Sequence, residues 1–273
     1  MAPPASDVSA TEDLLDNAVW HALRGPLEHC ADAVSTSDAV RFHPEINLFA
    51  GIERTDEPGW SALARLAGAR GFIALFRDAV PSPPPGWQEH YRAACFQMVA
   101  GDLPDRPEVE TVPLGPEDAQ DMLELTEITE PGPFFLRTHE QGRYIGVRRE
   151  GRLVAMAGER FRVAGFTEVS AVCTHPDVRG EGLGGALTLE IAHGIRERGD
   201  QPFLHLLETN DTAHRLYLKL GFRDRRMTEV VAAQWHDDGL PHDAQREAGD
   251  ASAVDALPHP GGPDHQRDEG DDA

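Results

Sequence analysis

Cysteine is scarce: the sequence of 273 residues holds three, Cys30, Cys95 and Cys173. They are odd in number and widely scattered, and no CxxC pair occurs. This argues against a disulfide framework or a cysteine zinc site, and no metal is expected. Cys173 stands in an apolar run and reads as a reduced, buried small residue. Long apolar runs are also missing, none approaching the roughly 18 residues that a membrane span requires. The opening MAPPASDVSA lacks the basic stretch and apolar core of a secretory signal, so the expected location is cytoplasmic. Positive charge is short as well, with 25 Lys and Arg against 47 Asp and Glu, a net charge of −22. Such a surface repels phosphate backbones and anionic headgroups, so no nucleic acid and no membrane is expected as partner. It draws cationic amines weakly, and its plainer meaning is a solubilising surface.

Apolar residues make up 40% of the chain, slightly low for one compact globule. The deficit falls at the C-terminus. Residues 236–273 are dominated by Asp, Gly, Pro and His. A tail of that composition cannot offset its ordering entropy, and disorder is the expectation there. Residues 1–11 are small and polar and read as a flexible end. Between these ends the pattern is α/β. Helical spacing starts at Leu14 and stops at Gly25-Pro26. An extended, Pro-interrupted stretch follows at 39–52. A helix over 57–67 carries Trp60, Leu63 and Leu66, and strands are expected at 71–76 and 91–99. The segment 103–107 resembles a linker between an N-terminal α/β domain, 12–102, and a second domain, 108–235. The second begins with a strand at 108–114 and a helix at 115–128, with Pro116 near its first turn. Two strands, 143–149 and 152–163, meet at a hairpin at Glu150-Gly151. A strand at 167–174, a glycine-rich turn, a helix of about five turns, a strand at 202–207, a short helix and a last strand near 226–234 complete the order.

The glycine turn carries the chemistry. Pro176 ends the strand, and Gly180, Gly182, Gly184 and Gly185 precede a helix whose Leu183, Leu187, Ile191 and Ile195 repeat on one face. Glycines at a helix entrance leave outward N–H groups exposed at the positive end of the helix dipole, and Arg179 adds a charge beside them. That is an anion site, and a pyrophosphate suits it. A Walker loop needs a closing Gly-Lys-Ser/Thr, which Gly185-Ala186-Leu187 does not supply. The dinucleotide pattern GxGxxG is met formally by Gly180, Gly182 and Gly185. However, Pro176 to Arg179 separate it from the strand, and its acidic partner would fall at Gly199-Asp200, before the next strand begins.

A second motif, ETNDTAHRLYLKLGF, lies some thirty residues on. Ala213, Leu216, Tyr217 and Leu220 share one face of a short helix that Asn210 or Asp211 can cap and Gly221 can end. By strict alternation, Glu168, Ser170, Val172 and Thr174 share one face of the 167–174 strand, and Val169, Ala171 and Cys173 the other.

Together these segments resemble the GNAT acetyltransferases. Arg179-Gly180-Glu181-Gly182-Leu183-Gly184 matches their R/Q-x-x-G-x-G/A signature, and SAVCTHP with LYLKLGF resembles the FR47-like branch, over about residues 108–235. The resemblance implies a mixed, mostly antiparallel sheet flanked by helices and acyl transfer from acetyl-CoA to an amine, either a small molecule or a peptide. It implies acyl-CoA contacts from Val172, Cys173, Thr174, the 179–185 turn including Gly185, and Asn210. It implies further that Tyr217 protonates the leaving thiolate, a suitable task for a phenol. For the base, Glu168 is preferred and His205 second, since an imidazole titrates near neutrality. A buried core role competes for Tyr217 and His205, and orientation of substrate alone for Glu168. A non-catalytic acyl-CoA-binding module is the alternative function, with a nicotinamide-binding protein behind it. The N-terminal domain reads as a degenerate GNAT-like half, a substrate lid or a homodimer surface. Phe134 and Phe135 read equally as a pocket wall or as core.

Overall fold

The computed structural model describes residues 12–68 and 71–236. The expectations for residues 1–11 and for the tail from 237 on fall outside these residues. Ten strands are described: β1 Ala39–Arg41, β2 Phe49–Ile52, β3 Phe72–Arg77, β4 Trp87–Ala100, β5 Val112–Leu114, β6 Tyr144–Arg149, β7 Arg152–Val163, β8 Phe166–Thr174, β9 Gln201–Leu207 and β10 Phe222–Trp235. The helices are α1 Ala18–Leu23, α2 Glu57–Ala67, α3 Ala119–Thr129, α4 Leu183–Glu197 and α5 Asp211–Lys219.

Local chemistry accounts for most of these elements. In α2, the Asp56 carboxylate accepts the Gly59 N–H at 3.2 Å, Pro58 occupies the first turn, and Trp60, Leu63 and Leu66 face a common core. The β6–β7 hairpin turns at Glu150 and Gly151 with φ of 52° and 83°, the left-handed pair that a two-residue connection between twisted strands requires. Leu187, Ile191 and Ile195 are fully buried on one face of α4, each contributing about 2 kcal/mol by leaving water. Residues 103–107 run along that helix, Arg106 pairing with Glu190 at 3.3 Å and Glu197 at 2.8 Å.

All ten strands join one sheet in the order β1-β2-β3-β10-β4-β9-β8-β7-β6-β5. It is mixed and mostly antiparallel, with helices against it, and only β2/β3 and β8/β9 pair in parallel. The order is symmetric about the β10–β4 junction from β1 to β7, with β6 and β5 added beyond β7. On one side lie β10 and the parallel pair β3/β2; on the other lie β4 and the parallel pair β9/β8. Each half of the chain has lent a strand to the other. β10, from the second half, pairs with β3 and β4, while β4, from the first, pairs with β9. The segments on either side of 103–107 thus share a continuous sheet, and the region around β8 and β9 is walled partly by the N-terminal half.

Candidate functional site

The parallel pair β8/β9 is joined only from Phe166–Glu168 to Gln201–Phe203. Past Glu168 the strands part, and the β9-facing edge of β8 has no ladder partner there. A bulge accompanies the divergence. The register with β7 slips between Met156 and Gly158, and Ala171 takes φ 51°, a left-handed conformation that costs a residue with a side chain roughly 1–2 kcal/mol. The extra residue turns Val172 to the side of Val169, where both pack with Leu187 and Ile191 of α4. Ala171 and Cys173 pack instead with Met122 and Leu125 of α3. Strict alternation, which would put Glu168 and Val172 on one face, is therefore corrected: the bulge places Glu168 on the face opposite Val172. Cys173 is buried, and its burial pushes the thiol up to about 12, which leaves it inert as a nucleophile.

The glycine turn lies beside the open edge. Gly180 and Gly182 hold φ of 83° and 81°, and no atom lies within 4 Å of where a Cβ would stand on either. Gly182 begins α4 without a side-chain cap, and no acidic residue occupies the first turn. The N–H groups of Leu183, Gly184 and Gly185 therefore lack helical acceptors. A Cβ on Gly184 would lie 3.6 Å from Thr174 Oγ1, so the helix entrance sits directly on the β8 edge. Arg179 bonds the Thr174 carbonyl through Nε at 3.4 Å. Glu181 is turned away to Arg149 in an exposed ion pair.

Across the opening, Asn210 caps α5 by accepting the Ala213 N–H at 2.9 Å. Gly221, with φ 85°, ends that helix where a Cβ would strike the Asp102 carbonyl. Tyr217 is half-buried against Phe222, and burial pushes its phenol up to about 12. Its hydroxyl has no hydrogen-bond partner among the described residues. A cavity of about 300 Å³ joins Val172 to Thr174, Arg179, Asn210 and Tyr217, and continues inward past His205 to Arg160, Phe49 and Phe76.

The two residues expected as bases form one buried unit. His205 Nδ1 lies 2.6 Å from Glu168 Oε1, and Gln97 Nε2 lies 2.9 Å from His205 Nε2. Gln97 is oriented by Arg225, which donates to Gln97 Oε1 at 2.6 Å, and it also donates to the Leu15 carbonyl. Its amide therefore donates to His205 Nε2, and Nδ1–H of His205 donates to Glu168. Arg160 meets Glu168 through Nε at 2.8 Å and Nη2 at 2.7 Å, and the Phe161 N–H adds a fourth donor at 3.2 Å. Burial acts most strongly on Glu168 and favours its neutral form. The Arg160 charge and the bonds from Arg160 and His205 outweigh it and hold the carboxyl at about 2. Burial also lowers the His205 pKa and keeps the imidazole neutral, with Glu168 opposing and Arg160 assisting. Glu168 itself is fully buried behind the wall, and His205 is the member that lines the cavity.

Arg160, Gln97, Phe49 and Phe76 escaped the sequence reading. Arg160 stands among the charges Glu159 and Arg162 in the second half of β7, where nothing local singles it out, and the other three come from distant segments with no local signature. Phe134 packs edge-on against the buried Tyr144 ring at 5.8 Å, which makes it core, and neither it nor Phe135 lines the cavity. Among the described residues no cluster suited to a metal ion occurs, and no helix is long and apolar enough to cross a membrane.

Comparison with known proteins agrees with this geometry. Residues 144–231 match the family model of FR47-like proteins. A mycothiol acetyltransferase of Saccharomonospora viridis is 37% identical over 102 residues, covering 37% of this chain and 33% of the relative. A second, from Thermobispora bispora, is 31% identical over 182 residues, covering 59% of this chain and 58% of the relative. The chain thus spans between a third and three-fifths of the length of these curated relatives. The crystal structure of a GNAT-family protein from Novosphingobium aromaticivorans is similar with a TM-score of 0.74 and 37% identity, over 80% of this chain and 97% of that one. The match holds over nearly the whole of that protein: this chain belongs to the GNAT family.

Proposed function

We propose that the chain transfers an acetyl group from acetyl-CoA to an amine by direct attack, in the cytoplasm, with residues 108–235 carrying the reaction and 12–102 a degenerate GNAT-like half. The observation that carries this reading is that the unpaired β8 edge and Tyr217 line one cavity, with the uncapped helix entrance directly beside that edge. These parts fit the acyl donor. Open space over Gly180 and Gly182 admits a pyrophosphate to the N–H groups of Leu183 to Gly185, and Arg179 supplies a cation. The unpaired backbone from Val172 to Thr174 offers an extended partner for the pantetheine amides, and its N–H groups suit a carbonyl that gains negative charge. Asn210 stands at the same opening.

Bound acetyl-CoA would supply an activated thioester; the remaining work falls to side chains. Tyr217 donates a proton to the departing sulfur. A phenol shifted to about 12 stays protonated at neutral pH, and with no competing hydrogen bond it is ready to give that proton. Glu168, saturated by four donors and held near 2, is too weak a base to strip an ammonium. In this reading it fixes the ring of His205 in the cavity wall, both ring nitrogens being bonded to Glu168 and Gln97, and the attacking amine releases its proton to solvent. An assay of CoA-thiol release across a panel of amines, with Tyr217→Phe alongside, tests the proposal. Amine-dependent release is expected, with kcat about 100-fold lower in the variant. Full activity in Tyr217→Phe would remove the assigned acid, and absence of release with every amine would contradict transfer.

A further inference from the structure

The inner end of the cavity is built by both halves of the chain. Phe49 of β2, Phe76 of β3, Cys95 of β4 and Val230 of β10 wall it, and its polar groups are Arg160 of β7 and His205 of β9. None of the four wall residues is charged. Arg160 spends one edge of its guanidinium, Nε and Nη2, on Glu168. The edge that includes Nη1 has no hydrogen-bond partner among the described residues. The group is not loose: its side chain is 13% exposed, and the rings of Phe49, Phe76 and Phe161 lie 5.6, 5.5 and 4.5 Å from it. Unused N–H donors in so dry a place are costly unless something meets them. Glu168 cannot, since its oxygens already take four donors, two from the other edge of Arg160 and one each from Phe161 and His205.

We infer that the acceptor is a small amine that also bears a carboxylate, the carboxylate seated on the free edge of Arg160 and the amine directed past the His205 ring toward the open edge of β8. This rests on the acetyl-transfer reading above. A planar guanidinium edge matches a carboxylate with two parallel N–H bonds, which neither a methyl group nor a single hydroxyl reproduces. Arg160 and Glu168 cancel in charge, so the preference comes from matched donors in a water-poor pocket more than from net field. A cavity of about 300 Å³, shared with the tip of the acyl donor, leaves room for a molecule of amino-acid size. Phe49 and Phe76 would pack on its carbon skeleton.

The test compares several amino acids with their carboxamides and their decarboxylated amines. Two readouts serve: CoA-thiol release with acetyl-CoA, and calorimetric binding of each compound to the CoA-loaded protein. The carboxylates are expected to exceed the decarboxylated amines at least about tenfold in kcat/KM and in affinity, with carboxamides between. Arg160→Lys keeps a cation against Glu168 but loses the second edge, and it should raise KM for the carboxylates alone. Equal or better use of the decarboxylated amines would overturn the assignment. So would a uniform loss across all three classes in a folded Arg160→Lys. Should that variant not fold, the wild-type series decides, and if no compound is turned over, the calorimetry does. A melting-temperature shift with acetyl-CoA separates the two levels. Its absence undermines acetyl transfer itself, whereas its presence without a carboxylate preference overturns only the acceptor class.

Discussion

The two halves of the sheet repeat one motif, a parallel strand pair joined through a helix, and treat its entrance in opposite ways. In the C-terminal half the helix starts at Gly182 with bare N–H groups, and the parted strand edge faces a cavity. In the N-terminal half α2 starts behind the Asp56 carboxylate, which takes the Gly59 N–H, and Glu57 follows in the first turn. There too the parallel pairing is short, Phe49–Ala50 with Ala74–Leu75. The carbonyl this leaves at Ile52 is filled by the Asn17 side-chain amide at 2.7 Å. The chain thus satisfies with its own side chains in one half what it leaves open in the other. An anion would be welcomed at α4 and repelled at α2 by two carboxylates.

The sharpest way to break this comparison is to close the open entrance. Gly182→Asp forces a side chain into a φ of 81° and puts a carboxylate where phosphate should sit, so acetyl-CoA binding should fall below detection. Melting-temperature titrations would read this, and retained binding would contradict it. Next in size is Glu168→Ala. It leaves Arg160 buried without its partner and should cost about 3–5 kcal/mol in urea unfolding, where a loss under 1 kcal/mol would refute the network.

The same network predicts a pH response. The folded pKa of Glu168 is depressed to about 2, so the stability it contributes is present above its unfolded pKa and is lost as pH falls from there through about 2. His205 is also depressed, and its contribution fades as pH falls below its unfolded pKa, near 6.5. Urea midpoints should therefore drop from pH 7 to pH 5 through His205 and further below pH 4.5 through Glu168, and a flat profile would argue against both. Smallest is Asp56→Ala at the closed entrance, which should cost about 1 kcal/mol of stability and leave acetyl-CoA affinity unchanged.

Much of the site was legible in the sequence because it is local. The helix spacing of Leu187, Ile191 and Ile195, the cap at Asn210, the turn at Glu150-Gly151 and the glycines of the entrance each depend on neighbours within a few residues. The bulge at Ala171 was not legible, since no residue in TEVSAVCT demands a left-handed φ; packing against α3 and α4 on opposite faces imposes it. It is the reason Glu168 lies on the face opposite Val172. The exchange of β4 and β10 between the halves also escaped, because strand partners depend on pairings far apart in the chain. With it went Phe49 and Phe76, which reach the cavity, and Gln97, which reaches His205, only once the halves interlock.

The most direct measurement is calorimetric titration of the chain with acetyl-CoA, run on wild type, Gly182→Asp and Asp56→Ala. One molecule bound per chain, lost in Gly182→Asp and unchanged in Asp56→Ala, is the predicted result. Two molecules per chain, or binding that survives Gly182→Asp, would contradict the division of the molecule into an open half and a closed one.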